Sequence, residues 1–544
     1  MDFEKERNSD TENVLKSIRK KSTVVVAGPG TGKSTLFKKV LDQEKKAGKT
    51  NFLAITFVGK LTDSLADDLA GLAETKTMHG FARDFVLKHC PKGWKYYPKI
   101  YEIIKEDLEI KGIKSFKIGD INYQERTKYY KTIGEKDVIH YAVEICKKDK
   151  NKIPKYDIIL VDEFQDFNEI ESSFIDFLST QNKMLIVGDD DQSLYKELKD
   201  SLPKFIRDKF KEDNKDFESK ILRFCSRCTN VIIESFHAIV NFFELDKGER
   251  IEKQYVCYLP EKTPDNDMNR KILVLKTIQG NIHFEIKKEL EKILENQKIK
   301  TVLILGEGRL CHYLLAEVAQ RLKDLGFSNI NHESVNDKVF DFKESKINGY
   351  KYISEVSNNN LLLGWRLLIK DLKKERKNRI ILENYNDQKS FIDSIPKKFK
   401  DCHEKNAKVL RKILDSNKSK REGIGESSIN NLENQITIKE NEKQRKKIFI
   451  DQLVNEHKNL KRPLNNLDIT VCSILKAKGL SADVVFLIGF DEGKFPLKKE
   501  ATRSEICQML VSLTRARKRI YLVNSSTSKI SSFFKCIKDY CQIV

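Results

Sequence analysis

Short apolar runs recur along the chain, each closed by glycines or acids. Thr23-Val24-Val25-Val26-Ala27 leads into glycines, and Phe52-Leu53-Ala54-Ile55-Thr56-Phe57 is followed by a helical pattern from Leu61 to Leu69. Asp157 to Val161 and Met184 to Val187 both end in acidic residues. Runs of this length predict buried strands. Their alternation with helical stretches predicts a parallel sheet covered on both faces, with the polar motifs beyond the carboxyl ends of the strands. The pattern then repeats. Lys300 to Leu305, Ile469 to Val471, Val484 to Ile488 and Ile520 to Val523 predict a second α/β unit. Two stretches interrupt this order. Phe85 to Lys150 reads as a helical insertion, and Val339 to Leu464, rich in Lys, Asn and Glu, as another. The expected division is 1–84 with 151–216, an insertion at 85–150, a second unit at 217–338 with 465–544, and a reduced insertion at 339–464. Ser416 to Ile438 is polar and weakly patterned, which predicts a mobile loop.

The chemistry sits at the ends of the predicted strands. Gly28-Pro29-Gly30-Thr31-Gly32-Lys33-Ser34-Thr35 follows a strand and opens a helix, the context in which a P-loop match is strong. Glycines let backbone N–H groups close on phosphates, and the helix N-terminus favours anions. Lys33 would reach the β- and γ-phosphates of ATP and Ser34 would hold Mg²⁺. Asp162-Glu163 ends another strand, a pair suited to Mg²⁺ coordination by Asp162 and activation of water by Glu163. Gly188-Asp189-Asp190-Asp191-Gln192-Ser193 ends the next, which places Gln192 to sense the γ-phosphate.

In this order the motifs resemble those of the UvrD/Rep/PcrA family of superfamily-one DNA helicases. Ile55-Thr56-Phe57 with Lys60 is similar to that family's motif Ia, and Thr77-Met78-His79-Gly80-Phe81 to motif Ib. Lys476-Ala477-Lys478-Gly479-Leu480 resembles motif V, and Val511-Ser512-Leu513-Thr514-Arg515-Ala516 motif VI. The resemblance implies two RecA-like P-loop domains with helical insertions and ATP between them. It also implies that Arg227 and Arg515 meet the γ-phosphate from the second domain. Single-stranded or partly duplex DNA would be contacted by Phe57, Lys60, His79 and Tyr195, with 3′ to 5′ movement. Short members are sometimes encoded beside a nuclease in anti-phage systems such as Gabija, so a partner nuclease is also implied. The alternative reading is a nucleic-acid-sensing ATPase that regulates such a nuclease without processive unwinding.

The base-handling positions depart from the family. Ser226 stands where an aromatic stacks on adenine, Ser481 where a Glu holds the ribose, and the N-terminal Gln that reads adenine is not visible near Glu12 and Asn13. Phe3 is a candidate substitute ring. On the strand side, Glu197 stands where a second aromatic is expected, and Leu475 where motif V has a histidine.

Composition adds a partner and a compartment. Lys+Arg exceed Asp+Glu by 101 to 81, a formal charge of +20, which suits a polyanionic partner. The N-terminal residues have no apolar core of a signal peptide, and no apolar run approaches the roughly 20 residues that span a bilayer. The 11 cysteines form no disulfide framework, which fits a cytoplasmic protein with reduced thiols. Cys225 and Cys228 lack the second pair that a zinc site needs.

Overall fold

The computed structural model describes residues 3–57, 59–69, 71–195, 200–258, 271–296, 299–308, 311–332, 342–354, 361–418, 467–525 and 529–544. The chain divides into two compact units, one made of 1–81, 149–337 and 462–544 and the other of 82–148 and 338–461.

The first unit holds two parallel sheets. In the first sheet, strands β1 (Thr23–Ala27), β2 (Phe52–Thr56), β3 (Glu74–Thr77), β4 (Ile158–Val161), β5 (Met184–Gly188) and β6 (Glu218–Leu222) lie in the order β3-β2-β4-β5-β1-β6. In the second, β7 (Ile272–Thr277), β8 (Thr301–Gly306), β9 (Ile330–His332), β10 (Asp468–Ser473), β11 (Ala482–Ile488), β12 (Ala516–Ser525) and β13 (Cys541–Ile543) lie in the order β9-β10-β8-β11-β12-β7-β13. This is the α/β, doubly covered architecture that the apolar runs predict. Every residue of β1, β2, β4 and β5 is buried, as expected of strands with helices on both faces. In the second sheet, alternate residues feed opposite cores. Val302, Ile304, Val484 and Phe486 enter one, whereas Leu303, Leu305, Val485 and Leu487 enter the other. The side-chain period of two within a continuous apolar run makes this possible.

The first sheet runs on past the boundary set at 216. β6 pairs with β1 over Thr23↔Glu218 to Ala27↔Leu222, so these residues belong to the first sheet. The second unit is helical and joins the two insertions in one core. Ile103, Ile104, Tyr123 and Tyr130 from the first pack with Tyr350, Leu363, Trp365 and Phe391 from the second. The stretch predicted as a mobile loop lies outside the described residues beyond 418, as does Glu197. No helix among the described residues is long and apolar enough to cross a membrane.

Candidate nucleotide site

Strand order brings the motifs to one edge. β4, β5 and β1 are neighbours, so their carboxyl ends set Asp162, Asp189 and the glycine loop side by side. Gly30 and Gly32 have φ of +68° and +89°, a left-handed backbone that glycine adopts without a Cβ penalty. The helix that follows, Lys33–Lys46, has no acid in its first turn to compete with an anion. Thr31 Oγ1 closes the loop by donating to the Gly28 carbonyl at 2.9 Å. Ser34 is half-buried and Thr35 exposed. These features fit a phosphate chain.

Lys33 Nζ lies 3.0 Å from Glu163 Oε1. Burial alone would lower the Lys33 pKa, but Glu163 and Asp162 outweigh it and raise it. Glu163 has φ of +52°, a strained conformation for a non-glycine residue. Burial opposes its ionisation, yet Lys33 and Lys478 hold its carboxyl far below the usual range. Asp162 moves the other way, up to about 6, through burial and then the Glu163 charge. A carboxylate so placed would be relieved by a divalent cation.

Gln165 Nε2 donates to Glu163 Oε2 at 2.6 Å, and its Oε1 accepts from the Asp189 N–H at 2.9 Å. Gln192 is buried; its Nε2 donates to Asp189 Oδ2 at 2.6 Å, and its Oε1 accepts from Arg515 Nη2 at 3.1 Å. Arg515, on the second sheet's side, is 3% exposed and also donates to the Val511 and Leu480 carbonyls. Burial, then the neighbouring Arg227, push its pKa down to about 10. Arg227 sits against the P-loop: a Cβ built on Gly30 would fall 2.3 Å from that of Arg227. Lys33, Asp162, Glu163, Gln192, Arg227 and Arg515 are thus gathered around one loop.

Some important groups escaped sequence reasoning. Lys478, in the stretch that resembles motif V, is buried, pairs with Asp166, and donates to the Gln192 carbonyl at 2.9 Å. Tyr255 packs so tightly on Gly28 that a Cβ there would lie 2.3 Å from its ring. Nothing in the sequence around Tyr255 announces this contact.

The base side is organised differently. Ser226 donates to the Gly30 carbonyl through both N and Oγ, at 2.9 and 3.1 Å. Ser481 Oγ accepts from Arg517 Nε and Nη2 at 3.1 and 2.8 Å. The Phe3 ring centroid lies 5.9 Å from that of Phe224, and Arg7 stands over the Tyr258 ring at 4.5 Å.

Of the predicted strand-binding groups, Phe57 is 8% exposed, with its ring 5.1 Å from Tyr195 and 6.0 Å from Phe167. Tyr195 is half-buried and donates to the Leu475 carbonyl at 3.2 Å. His79 lies 3.8 Å from the buried Glu171. Lys60 lies within the helix Gly59–Leu69, but its side chain is outside the described ones.

A family model described as an AAA domain matches residues 10–197. The exonuclease/helicase subunit RexA of Lactococcus lactis subsp. cremoris is 29% identical over 28% of this chain and 13% of its own length. The chain thus spans only a small part of that relative. A probable DNA helicase II homolog of Rickettsia conorii is 22% identical over 95% of this chain and 92% of its own length. One from Mycoplasma genitalium is 22% identical over 96% and 86%. Over almost its whole length the chain is thus similar to proteins named as DNA helicase II homologs, and its motifs stand in the order of the UvrD/Rep/PcrA-like superfamily-one helicases, on two parallel sheets.

Proposed function

We propose that the chain hydrolyses ATP at its P-loop and couples each turnover to 3′ to 5′ movement along single-stranded DNA. The observation that carries this reading is the convergence of Lys33, Glu163, Gln192 and Arg515 from four separate motifs on one loop. The backbone of Gly28 to Ser34 cradles the phosphates, and Lys33 neutralises them. Ser34 and Asp162 would hold Mg²⁺, which would supply charge neutralisation for the phosphates. Glu163 accepts the proton of the attacking water, with its second oxygen fixed by Gln165. Arg515 and Arg227 meet charge developing on the transferred group, an effect worth roughly 10³–10⁵ in rate. Arg515 immediately precedes a strand of the second sheet and Gln192 follows a strand of the first, so the rate depends on how the two halves close. Phe57 and Tyr195 supply rings for the strand, and the net charge of +20 supplies attraction for its backbone.

A second reading draws on relatives named helicase/nuclease subunits, including one from Streptococcus sanguinis, 27% identical over 27% of this chain. It makes the chain an ATPase that serves a nuclease partner, with little strand separation of its own. The test is ATP hydrolysis and unwinding measured together on single strands and on duplexes with 3′ or 5′ tails. Translocation predicts strand-stimulated hydrolysis and displacement from 3′ tails, both lost in Glu163→Gln while ATP binding remains. Stimulated hydrolysis without displacement selects the second reading. Hydrolysis indifferent to DNA overturns both.

A further inference from the structure

Three consecutive acids, Asp189, Asp190 and Asp191, are buried at the end of β5. Their carboxylates lie close enough together to hold a metal ion, but the ammonium group of Lys253 stands among them. Lys253 Nζ is 3.1 Å from both Asp189 Oδ1 and Asp191 Oδ2, pairs with Asp190 as well, and its side chain is fully buried. Arg250 grips Asp191 through two bonds of 2.8 Å, and Arg207 reaches Asp190 at 2.9 Å. Arg503 donates to the Asp190 carbonyl at 3.1 Å and to both oxygens of Asp246, which also accepts from Arg207. Lys253, Arg250, Arg207 and Arg503 therefore face Asp189, Asp190, Asp191 and Asp246 in one cluster.

Two paths lead from this cluster to the catalytic groups. Along one, Lys253 holds Asp189 Oδ1, Asp189 Oδ2 accepts from Gln192 Nε2, and Gln192 Oε1 accepts from Arg515. Along the other, Arg503 anchors the first residue of the helix Arg503–Leu513, and Arg515 follows just beyond its last. That helix is 11 residues long and rigid over about 16 Å, so both ends of one rod are tied to the same motif.

We propose that Lys253 is a positioning residue for ATP hydrolysis, acting through Asp189 to fix the amide of Gln192 against Arg515. Gln192 could turn over if Asp189 were free to move, because a carboxamide presents either donor or acceptor by a half-turn. With Lys253 on one oxygen of Asp189, the other is aimed at Gln192. The amide nitrogen then faces Asp189 and the amide oxygen faces Arg515. The ammonium also offsets part of the cost of burying three adjacent carboxylates. This inference rests on the proposed ATPase.

The test is a double-variant cycle on the full chain, with steady-state ATP hydrolysis on single-stranded DNA and thermal melting of each protein. Lys253→Met should lower kcat by roughly 10- to 100-fold, the scale of small misplacements at a reacting centre, and leave KM for ATP within about threefold. Lys253→Arg should recover most of the loss. In a Gln192→Ala background, Lys253→Met should cost less than about threefold more, because its route to the chemistry is already gone. If Lys253→Met does not fold, Asp189→Asn replaces it and should behave alike. Losses that multiply in the double variant would overturn the role of Lys253 and leave the ATPase standing. A wild type that hydrolyses no ATP would instead overturn the functional reading, and this inference with it.

Discussion

Arg366 in the helical unit and Arg515 at the P-loop are both buried arginines, yet their surroundings are opposite. Arg366 donates to Asp107 Oδ1 and Glu106 Oε2, both at 2.8 Å, and Arg126 shares Asp107. Burial disfavours the Arg366 charge, but Asp107, Tyr130 and Glu106 more than restore it and raise its pKa. The hydrogen bonds of Arg515 go to carbonyls, to Gln192 and to the Thr514 hydroxyl, all neutral acceptors. Its charge is disfavoured by burial and by Arg227, and its pKa is pushed down to about 10. A cation that bonds internal carboxylates has its charge offset within the fold; a buried cation that bonds only neutral acceptors costs stability and is suited to meeting an anion from outside. The first pattern belongs to a scaffold, the second to a site.

Substitution should separate the two most strongly. Arg515→Ala is expected to lower ATP hydrolysis by about 10³-fold or more while the melting temperature holds or rises. Arg366→Ala leaves Asp107 and Glu106 without one cation and should cost about 3–5 kcal/mol of stability. The folded fraction should hydrolyse ATP at the normal rate. Melting curves beside steady-state rates decide the matter: if Arg515→Ala destabilises as much as Arg366→Ala, the contrast between scaffold and site collapses.

A smaller effect should appear with pH. Asp137, buried in the helical unit, accepts from the Gly134 N–H at 2.6 Å, and burial pushes its carboxyl up to about 7 despite that bond. An unfolded aspartate titrates near 3.9, so the folded chain holds this proton more tightly. The resulting stability is fully present below about pH 4 and is lost as pH rises through about 7. Asp137→Asn should flatten that slope in a series of melts from pH 4 to 8 without altering ATP hydrolysis. A slope that survives the substitution would show that another group controls it.

The smallest effect concerns the base side. Ser226 binds the Gly30 carbonyl there, whereas an aromatic ring adds a surface for a base. Ser226→Tyr should lower KM for ATP by roughly 2- to 10-fold, in keeping with about 0.5–1.5 kcal/mol for a ring contact. The wild type should discriminate weakly among ATP, GTP, CTP and UTP in steady-state assays. A strict preference for ATP would mean that other groups, with Arg7 and Tyr258 as candidates, complete the pocket.

The sequence by itself determined the central strands and the loop between β1 and its helix. Such features are local: a continuous apolar run has no stable place except inside a covered sheet, and glycines before Lys33 mark a left-handed turn. Edge strands were less legible. Glu74–Thr77 and Glu218–Leu222 are polar and mostly half-exposed, so they carry no apolar signature, and only pairing with β2 and β1 makes them strands. The two helical insertions read as separate stretches because nothing local tells Tyr130 that it will pack beside Trp365. Charged residues were least legible of all. Lys253 looks like any surface lysine, and its partner Asp190 lies 63 residues earlier. Whether a lysine is solvated or buried among three carboxylates depends on which chain segments the sheet order brings together. Topology settles that, because the Lys253 charge leaves water without a large penalty only where folding has gathered its counter-charges.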